Sequence, residues 1–432
     1  MRLYKLGACC RVGLFPRTSL FIQSSRALPS RLLSNTTSHM DQFTHISDVD
    51  AEPLHRYNEG GYHPVHLGDV LKEGRYKILH KLGWGSYSTV WAAGDQRLQA
   101  YVSIKISVSG QKPHSRELAV LRAVSDVPSD TPGHRYLMTM LDHFQLDGPN
   151  GTHDCLVSEV LGQSVADYMD ASSFARLPGN IAKAIAKHTL LGLSLLHSHN
   201  IGHGDIHTRN IAFTIPQINT IPEEVFLRKL GEPETAPVHR SDGQPLLESH
   251  VPKYIVRPTF YPVKVRSSFE SIKIIDFGQS FLRHDVPHEF HNPLAVRAPE
   301  IIFKDKVDYR MDLWSMGCLL FELLVAQPPF DSIMTTPAIL VGQMLDTTGD
   351  ELPDRWKEQW SAMSAAPLPS EEFSYTLQGW LEELYFDGEG GKDLSREDLV
   401  RVGKIIGRLL RLEPSERASA AEILQDDWFA ED

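Results

Sequence analysis

The chain reads as an α+β protein of two lobes, a small antiparallel β-rich lobe with one helix followed by a larger, mainly α-helical lobe. Three observations predict this. At 432 residues the chain is too long for one simple core. From Arg75 strand-like alternation dominates, and after Gly162 the apolar residues recur at helical spacing instead. The composition, 41% hydrophobic and 23% charged, is that of a globular chain. A net charge of −12 argues against non-specific nucleic-acid binding and suits a basic substrate, although such an excess is commonly only solvated surface. Four cysteines, Cys9, Cys10, Cys155 and Cys318, have neither the number nor the spacing of a disulfide framework or a zinc site, which reads as a reducing compartment. The longest apolar stretch, from Met316, contains Glu322 and ends in a Pro pair, so no membrane span is expected.

The first element, residues 1–40, is a basic leader. It holds Arg2, Lys5, Arg11, Arg17, Arg26 and Arg31, nine Ser or Thr, and no acid before Asp41. A mitochondrial presequence has this composition; so does a disordered tail, or a chain whose translation starts at Met40. The sequons at Asn35 and Asn150 are idle without a secretory signal. Residues 41–72 form an N-terminal extension.

The small lobe spans residues 73–161. RYKILHKL, STVWAAG and QAYVSIKIS predict three consecutive antiparallel strands, and HSRELAVLRA from His114 predicts the helix. LMTMLDHFQL, a turn at DGPNG and HDCLVSEVLG complete the sheet. The large lobe, 162–432, has helical patterns in NIAKAIAKHTLLGLSLLHSHN from Asn180, DLWSMGCLLFELLV, VGKIIGRLLRL and ASAAEILQDDWF. Residues 216–262, rich in Pro and Glu, read as a surface excursion within this lobe, not a domain boundary.

Gly83-Trp84-Gly85-Ser86-Tyr87-Ser88-Thr89-Val90 lies between two predicted strands. Glycines there let the backbone approach phosphate oxygens, and the following Val90 can cover a purine, but glycine pairs are also common in plain hairpins. Lys105 sits in the apolar strand VSIK and either snorkels at its edge or needs anions such as a phosphate and Glu117 in the next helix. Asp276, at the end of the apolar run SIKIID, and Asn210, after the turn in HGDIHTRN, supply the hard oxygens that Mg²⁺ requires. Asp205, five residues before Asn210, is positioned to take a proton from an attacking hydroxyl. Glycine loop, lysine, two metal ligands and a base are the parts of phosphoryl transfer from ATP.

With these motifs the chain resembles the eukaryotic protein kinases over about residues 73–430. Ala298-Pro299-Glu300 looks like the end of the activation segment. Asp312 to Gly317 looks like the helix that anchors the catalytic loop, and Arg417 like the late arginine that pairs with Glu300. Residues 60–91, from GGYHPV to STVW, and NGTHDCLVSEVLG are similar to the SR-protein kinases, which also carry a spacer where residues 216–262 stand. The resemblance implies a bilobal kinase fold and a Ser/Thr protein kinase, monomeric, using ATP and Mg²⁺ on protein substrates, basic Arg/Ser-rich ones among them, without direct nucleic-acid or membrane contact. It implies Leu82, Gly83, Gly85, Ser86, Val90 and Lys105 around the nucleotide, Glu159 to Leu161 as the adenine hinge, and Ser158 as the gate behind it. It places such a kinase in cytoplasm or nucleus; a presequence places it in the mitochondrion.

Several positions depart from the family pattern. Gly204 replaces the arginine that often precedes the catalytic aspartate, and the one hydroxyl between Asp276 and Glu300 is Ser280, so activity independent of activation-loop phosphorylation is expected. His207 stands where a lysine steadies the transferred phosphate, and Pro293 where a threonine is usual. Arg209 is expected to supply the missing positive charge, with His207 secondary. Two rival readings are a small-molecule phosphotransferase, which lacks the APE and DLWSMG segments, and a kinase-like binding module without catalysis. The acids in DGEGGKDLSREDL and ELPDRWKEQW are either a docking groove for a basic substrate or solvated helix faces.

Overall fold

Strands that alternate apolar and polar residues bury one face, and in the small lobe that face closes over a core of its own. The computed structural model describes residues 44–110, 116–171, 176–265, 269–330, 336–364, 376–388 and 391–430. The leader, its sequon, Cys9, Cys10 and the helix start expected at His114 fall outside these residues.

The N-terminal extension supplies β1 (His45–Ile46) and β2 (Val70–Leu71). The three expected strands are β3 (Tyr76–Gly85), β4 (Ser88–Asp95) and β5 (Ala100–Ser107), and the expected helix is α1 (Arg116–Ser125). The hairpin of β6 (Met140–Gly148) and β7 (Gly151–Glu159) turns at Pro149–Asn150. The sheet order is β2-β3-β4-β5-β7-β6, antiparallel throughout. Ile78, Trp91, Val102, Ile104 and Val157 fill its core.

The large lobe begins with α2 (Val165–Ala171) and α3 (Gly179–Ser198). Then come β8 (Ile201–Gly202) and β9 (Ile211–Phe213). The excursion carries α4 (Glu223–Leu230), β10 (Thr235–Pro237), β11 (His239–Arg240) and β12 (Tyr254–Val256). After it, β13 (Ile272–Ile274) pairs with β9, and β14 (Phe281–Leu282) with β8. These two short ladders bring the HGDIHTRN stretch and the segment of Asp276 side by side. Helices α5 (Pro299–Ile302), α6 (Met311–Val325), α7 (Pro337–Thr348), α8 (Asp354–Met363), α9 (Leu377–Asp387), α10 (Arg396–Leu409), α11 (Ala420–Leu424) and α12 (Asp427–Ala430) complete the lobe. A helix apolar all round belongs in the middle of a core, and α6 is buried on every face. Among the described residues no helix is long and apolar enough to cross a membrane.

Three differences from the sequence reading have physical causes. The excursion does not lie on the large lobe alone; it straps across the small one. Its β11 pairs with β1, its Phe226 stacks on Tyr101 with ring centroids 4.1 Å apart, and Val256 enters the small-lobe core. Ala236, Val238, Val251 and Ile255 pack with Val49, Tyr57, Tyr62 and Val108. Widely spaced apolar residues amid Pro and Glu have no period, so this packing leaves no local signature. The run ASAAEILQDDWF divides into α11 and α12, the first opened by a capping box of Ser419 and Glu422. Two residues of the acidic runs cap and tie, Asp393 accepting from Gly179 N at 2.6 Å and from the Tyr385 hydroxyl and Asp398 closing a box with Ser395, while Glu351, Asp354, Glu358 and Glu397 are exposed. Asn150 is buried, its amide donating to Tyr62 O (2.6 Å) and His250 O (2.9 Å), so its sequon is not presented for modification.

Two half-buried histidines set an acid limit on stability. Burial lowers His63 and His188 to about 4, with His153 adding to the effect on His63 and Arg135 to that on His188. Between that value and the ordinary 6.5 the unfolded chain binds protons that the folded one does not, so stability falls as pH falls through this window. Each adds a slope of up to about 1.4 kcal/mol per pH unit. His188 is sandwiched between Tyr136 and Phe269. Urea midpoints measured from pH 7 to 5 are expected to decline, and to decline less in His188→Phe.

Candidate active site

The cleft between the β3–β4 hairpin and the β9 and β13 ladder has a volume of about 440 Å³. Leu82 and Val90 roof it, Ala212 and Ile275 floor it, and Met138, Leu156, Ser158 and Leu161 close its back and side. Gly83 and Gly85 face open space: a Cβ on either would meet no protein atom within 4 Å. Their missing side chains leave room for a ligand. Ser86 is exposed at the tip of the hairpin, outside the cleft lining, and Ser88 lines it instead.

Strand β5 aims Lys105 into the cleft, where its Nζ lies 2.7 Å from Glu117 Oε1 on α1 and 2.8 Å from Asp276 Oδ1. Burial alone would depress this ammonium; Asp276 and Glu117 outweigh it and hold its pKa above the ordinary value. Lys105 in turn brings the Asp276 carboxyl down to about 2, against the upward push of burial. Burial raises Glu117, offset in part by Lys105. Asp276 has φ 58° and accepts from Gly278 N at 3.2 Å, a left-handed residue turning the chain at the end of its strand.

The HGDIHTRN stretch hangs from α6. Asp312, fully buried, accepts His203 N and Gly204 N at 2.8 Å each and lies 3.1 Å from His197 Nε2. Gly204 has φ 81°, and a Cβ would stand 2.4 Å from Gln279 O, so glycine is the residue this turn admits. His203, held below its ordinary pKa by burial, accepts Asp205 N at Nδ1 (3.3 Å) and reaches Ile275 O from Nε2 (3.1 Å). Those partners assign its proton to Nε2. Asn210 donates to the backbone O (2.9 Å) and Oδ2 (3.0 Å) of Asp205. Asn210 O accepts Ile275 N at 2.9 Å, fixing the distance to the neighbouring Asp276. Asp205 Oδ1 is buried and makes no hydrogen bond among the described residues.

His207 Nε2 stands 3.4 Å from that oxygen, and His207 Nδ1 accepts Arg209 N at 3.2 Å. Arg209, which lines the cleft, pairs with Asp170 (3.3 Å) and Asp167 (3.6 Å) on α2, with its side chain 63% exposed. Both groups expected to carry positive charge stay near the site: His207 beside Asp205 Oδ1, and Arg209 among the residues that line the cleft.

Glu159, expected at the adenine hinge, lines the cleft and its carboxylate accepts Thr139 N (3.0 Å) and Lys273 Nζ (2.5 Å). Thr259 and Phe260 of the excursion also line the cleft, which sequence reasoning missed; the aromatic run TFYP in an otherwise polar segment was the available signal. In the segment from Asp276 to Glu300, the Ser280 hydroxyl is buried and donates to Phe277 O at 2.5 Å. Asp285 binds Arg116 at the start of α1 (3.0 and 3.3 Å). Arg297 holds Asn292 (3.2 Å to Oδ1), and Glu300 pairs with both terminal nitrogens of Arg417 at 2.7 and 2.6 Å. Among the described residues no three His, Cys, Asp or Glu converge as a metal cage.

Comparison with known proteins gives the family. A serine/threonine protein kinase of Aspergillus fumigatus is 28% identical over 431 residues, 96% of this chain and 98% of its own. The serine/threonine-protein kinase SRPK of Physarum polycephalum is 27% identical over 420 residues, 89% of this chain and 93% of its own. The human SRSF protein kinase 3 is 37% identical over 194 residues, 44% of this chain and 32% of its own. The sequence model of the protein kinase domain matches residues 76–219 and 264–429, leaving out most of the strap, and on this match the chain belongs to the protein kinase family.

Proposed function

We propose that this kinase transfers the γ-phosphate of ATP, with Mg²⁺, to serine and threonine hydroxyls of protein substrates. The observation that carries the reading is the Asp205 carboxylate, with one oxygen held by the cleft-lining Asn210 and the other buried without a hydrogen bond, 3.4 Å from His207 Nε2. An unpaired buried acceptor is unfavourable unless a donor arrives, and an acceptor hydroxyl is such a donor. Asn210 and Asp276 fit a hard cation: two oxygen donors short of a full shell, the rest coming from phosphate and water. Bound there, Mg²⁺ would neutralise charge on the phosphates. Lys105, kept charged by its two carboxylates, would hold the phosphates under the Gly83–Gly85 loop, and the backbone of Glu159 to Leu161 would meet the adenine.

His207 is the group we place on the transferred phosphate, its ring beside Asp205, with Arg209 contributing a more distant field. His207→Ala is expected to lower kcat by about 10²-fold and Arg209→Ala by less; steady-state rates of the two variants decide the order.

The acidic net charge and the relatives named SRPK and SRSF protein kinase favour basic, Arg/Ser-rich substrates. Neither the small-molecule phosphotransferase nor the binding-module reading draws support from the relatives. Phosphoamino-acid analysis of an Arg/Ser-repeat peptide labelled by the purified chain tests the acceptor. Phosphoserine is expected; phosphotyrosine alone on a mixed peptide set would overturn the assignment.

The activation segment carries its own fixed charge, Asp285 on Arg116, and its one hydroxyl is sealed in. Phosphatase treatment of active enzyme is expected to leave the rate unchanged. Lost activity that maps to a phosphate between Asp276 and Glu300 would contradict this.

A further inference from the structure

A glycine loop with open space around both glycines has little of its own to fix it over a nucleotide. Here the stiffness comes from outside the hairpin. Tyr62, in the N-terminal extension, is 1% exposed and its hydroxyl donates to Gly85 O at 2.8 Å. Arg56 Nη1 donates to the same hydroxyl at 3.5 Å, which leaves the phenolic proton for Gly85. The tyrosine cannot follow a moving loop, because its own backbone is pinned: Tyr62 N donates to Arg56 O (3.0 Å), and Tyr62 O accepts the Asn150 amide (2.6 Å).

The entry to the loop is held as well. Lys81, directly before Leu82, is fully buried and paired with Glu52, which also accepts the Tyr57 hydroxyl. Its carbonyl accepts Thr259 N of the strap at 3.0 Å. Extension and strap therefore grip the loop at its foot and its tip, and they are joined to each other through β1 and β11.

We propose that Tyr62 is a positioning residue for ATP, acting through the Gly85 carbonyl to hold the loop backbone where it meets the phosphates, and that the extension and strap are part of the catalytic apparatus. This rests on the reading of the cleft as an ATP site. The loop faces phosphates and not the purine, so the effect is specific to the phosphate end of the ligand. Adenosine, which lacks phosphates, separates the two ends.

The test compares Tyr62→Phe with wild type and with Tyr385→Phe in the full chain. Tyr385 is equally buried and loses an equivalent hydroxyl bond, to Asp393 at 2.9 Å, far along the sequence in the large lobe. Calorimetric Kd values for ATP and adenosine and steady-state rates are measured for all three. In Tyr62→Phe, the loss of the hydrogen bond to Gly85 O is expected to raise Kd and KM for ATP about fivefold. Adenosine affinity stays at the wild-type value, and kcat changes by less than about twofold, the signature of lost binding shared by ground and transition states. Tyr385→Phe is expected to lower the melting temperature and leave both affinities alone. An unchanged ATP affinity in Tyr62→Phe overturns the inference. So does an equal weakening of ATP and adenosine, or the same ATP effect in Tyr385→Phe. Wild-type protein that fails to bind ATP overturns the reading of the cleft, and the inference with it.

Discussion

Asp205→Asn is expected to reduce kcat by about 10³-fold while ATP affinity stays within about twofold of wild type. The amide keeps the shape of the carboxylate and still offers an oxygen to Asn210, whose bonds to Asp205 are 2.9 Å to the backbone and 3.0 Å to Oδ2. What it loses is the basicity of Oδ1, the buried oxygen without a hydrogen bond beside His207. The loop around it is unaffected, because its register is set by Asp312 on His203 N and Gly204 N and not by the Asp205 side chain. Single-turnover transfer with saturating ATP reads the chemical step, and nucleotide titration reads the binding. A fall in both together would instead mean that the loop had collapsed.

Removing Arg417 is expected to give the largest loss of stability, about 3–5 kcal/mol for Arg417→Ala in urea unfolding. Its guanidinium is fully buried on the Glu300 carboxylate and also donates to Arg310 O and Arg411 O, each at 2.9 Å. Deleting it strands a buried carboxylate. Replacing both partners, as in Arg417→Met with Glu300→Leu, removes the stranded charge and is expected to recover much of the loss. Because Arg310 lies immediately before α6, which carries Asp312, the single variant also slackens the support of the catalytic loop, and kcat should fall with stability.

Much of the site was legible because its chemistry is local in sequence. Asp205 and Asn210 share one turn, Asp276 ends one strand, and Lys105 and Glu117 stand 12 residues apart on adjacent elements, so each carries a recognisable neighbourhood. Relations that depend on distant segments were not legible. Tyr62 reaches Gly85, and Thr259 reaches Lys81, only after the extension and strap fold over the small lobe. Residues such as Phe226, Val238 and Val256 anchor the strap at irregular intervals, and no periodicity announces them. The partners of Arg209 were hidden for a related reason. Its spacing from Asp205 was visible, whereas the acids on α2 that pair with it lie some 40 residues earlier in the chain. The helices α7 and α9 were not named from the sequence, and the stretch of α8 entered only as a docking groove or a solvated helix face. Asp393 and Asp398, two residues of the acidic runs, cap helices, a role composition cannot separate from exposure.

The most direct measurement is transfer of radiolabelled γ-phosphate from ATP to a serine-containing Arg/Ser peptide by the purified full-length chain, with and without Mg²⁺, alongside Asp205→Asn. The arrangement of Lys105, Asp205, Asn210 and Asp276 predicts Mg²⁺-dependent labelling of serine by the wild type and about 10³-fold less by the variant. Equal labelling by the two proteins, or a wild type that binds ATP and transfers nothing, would contradict it.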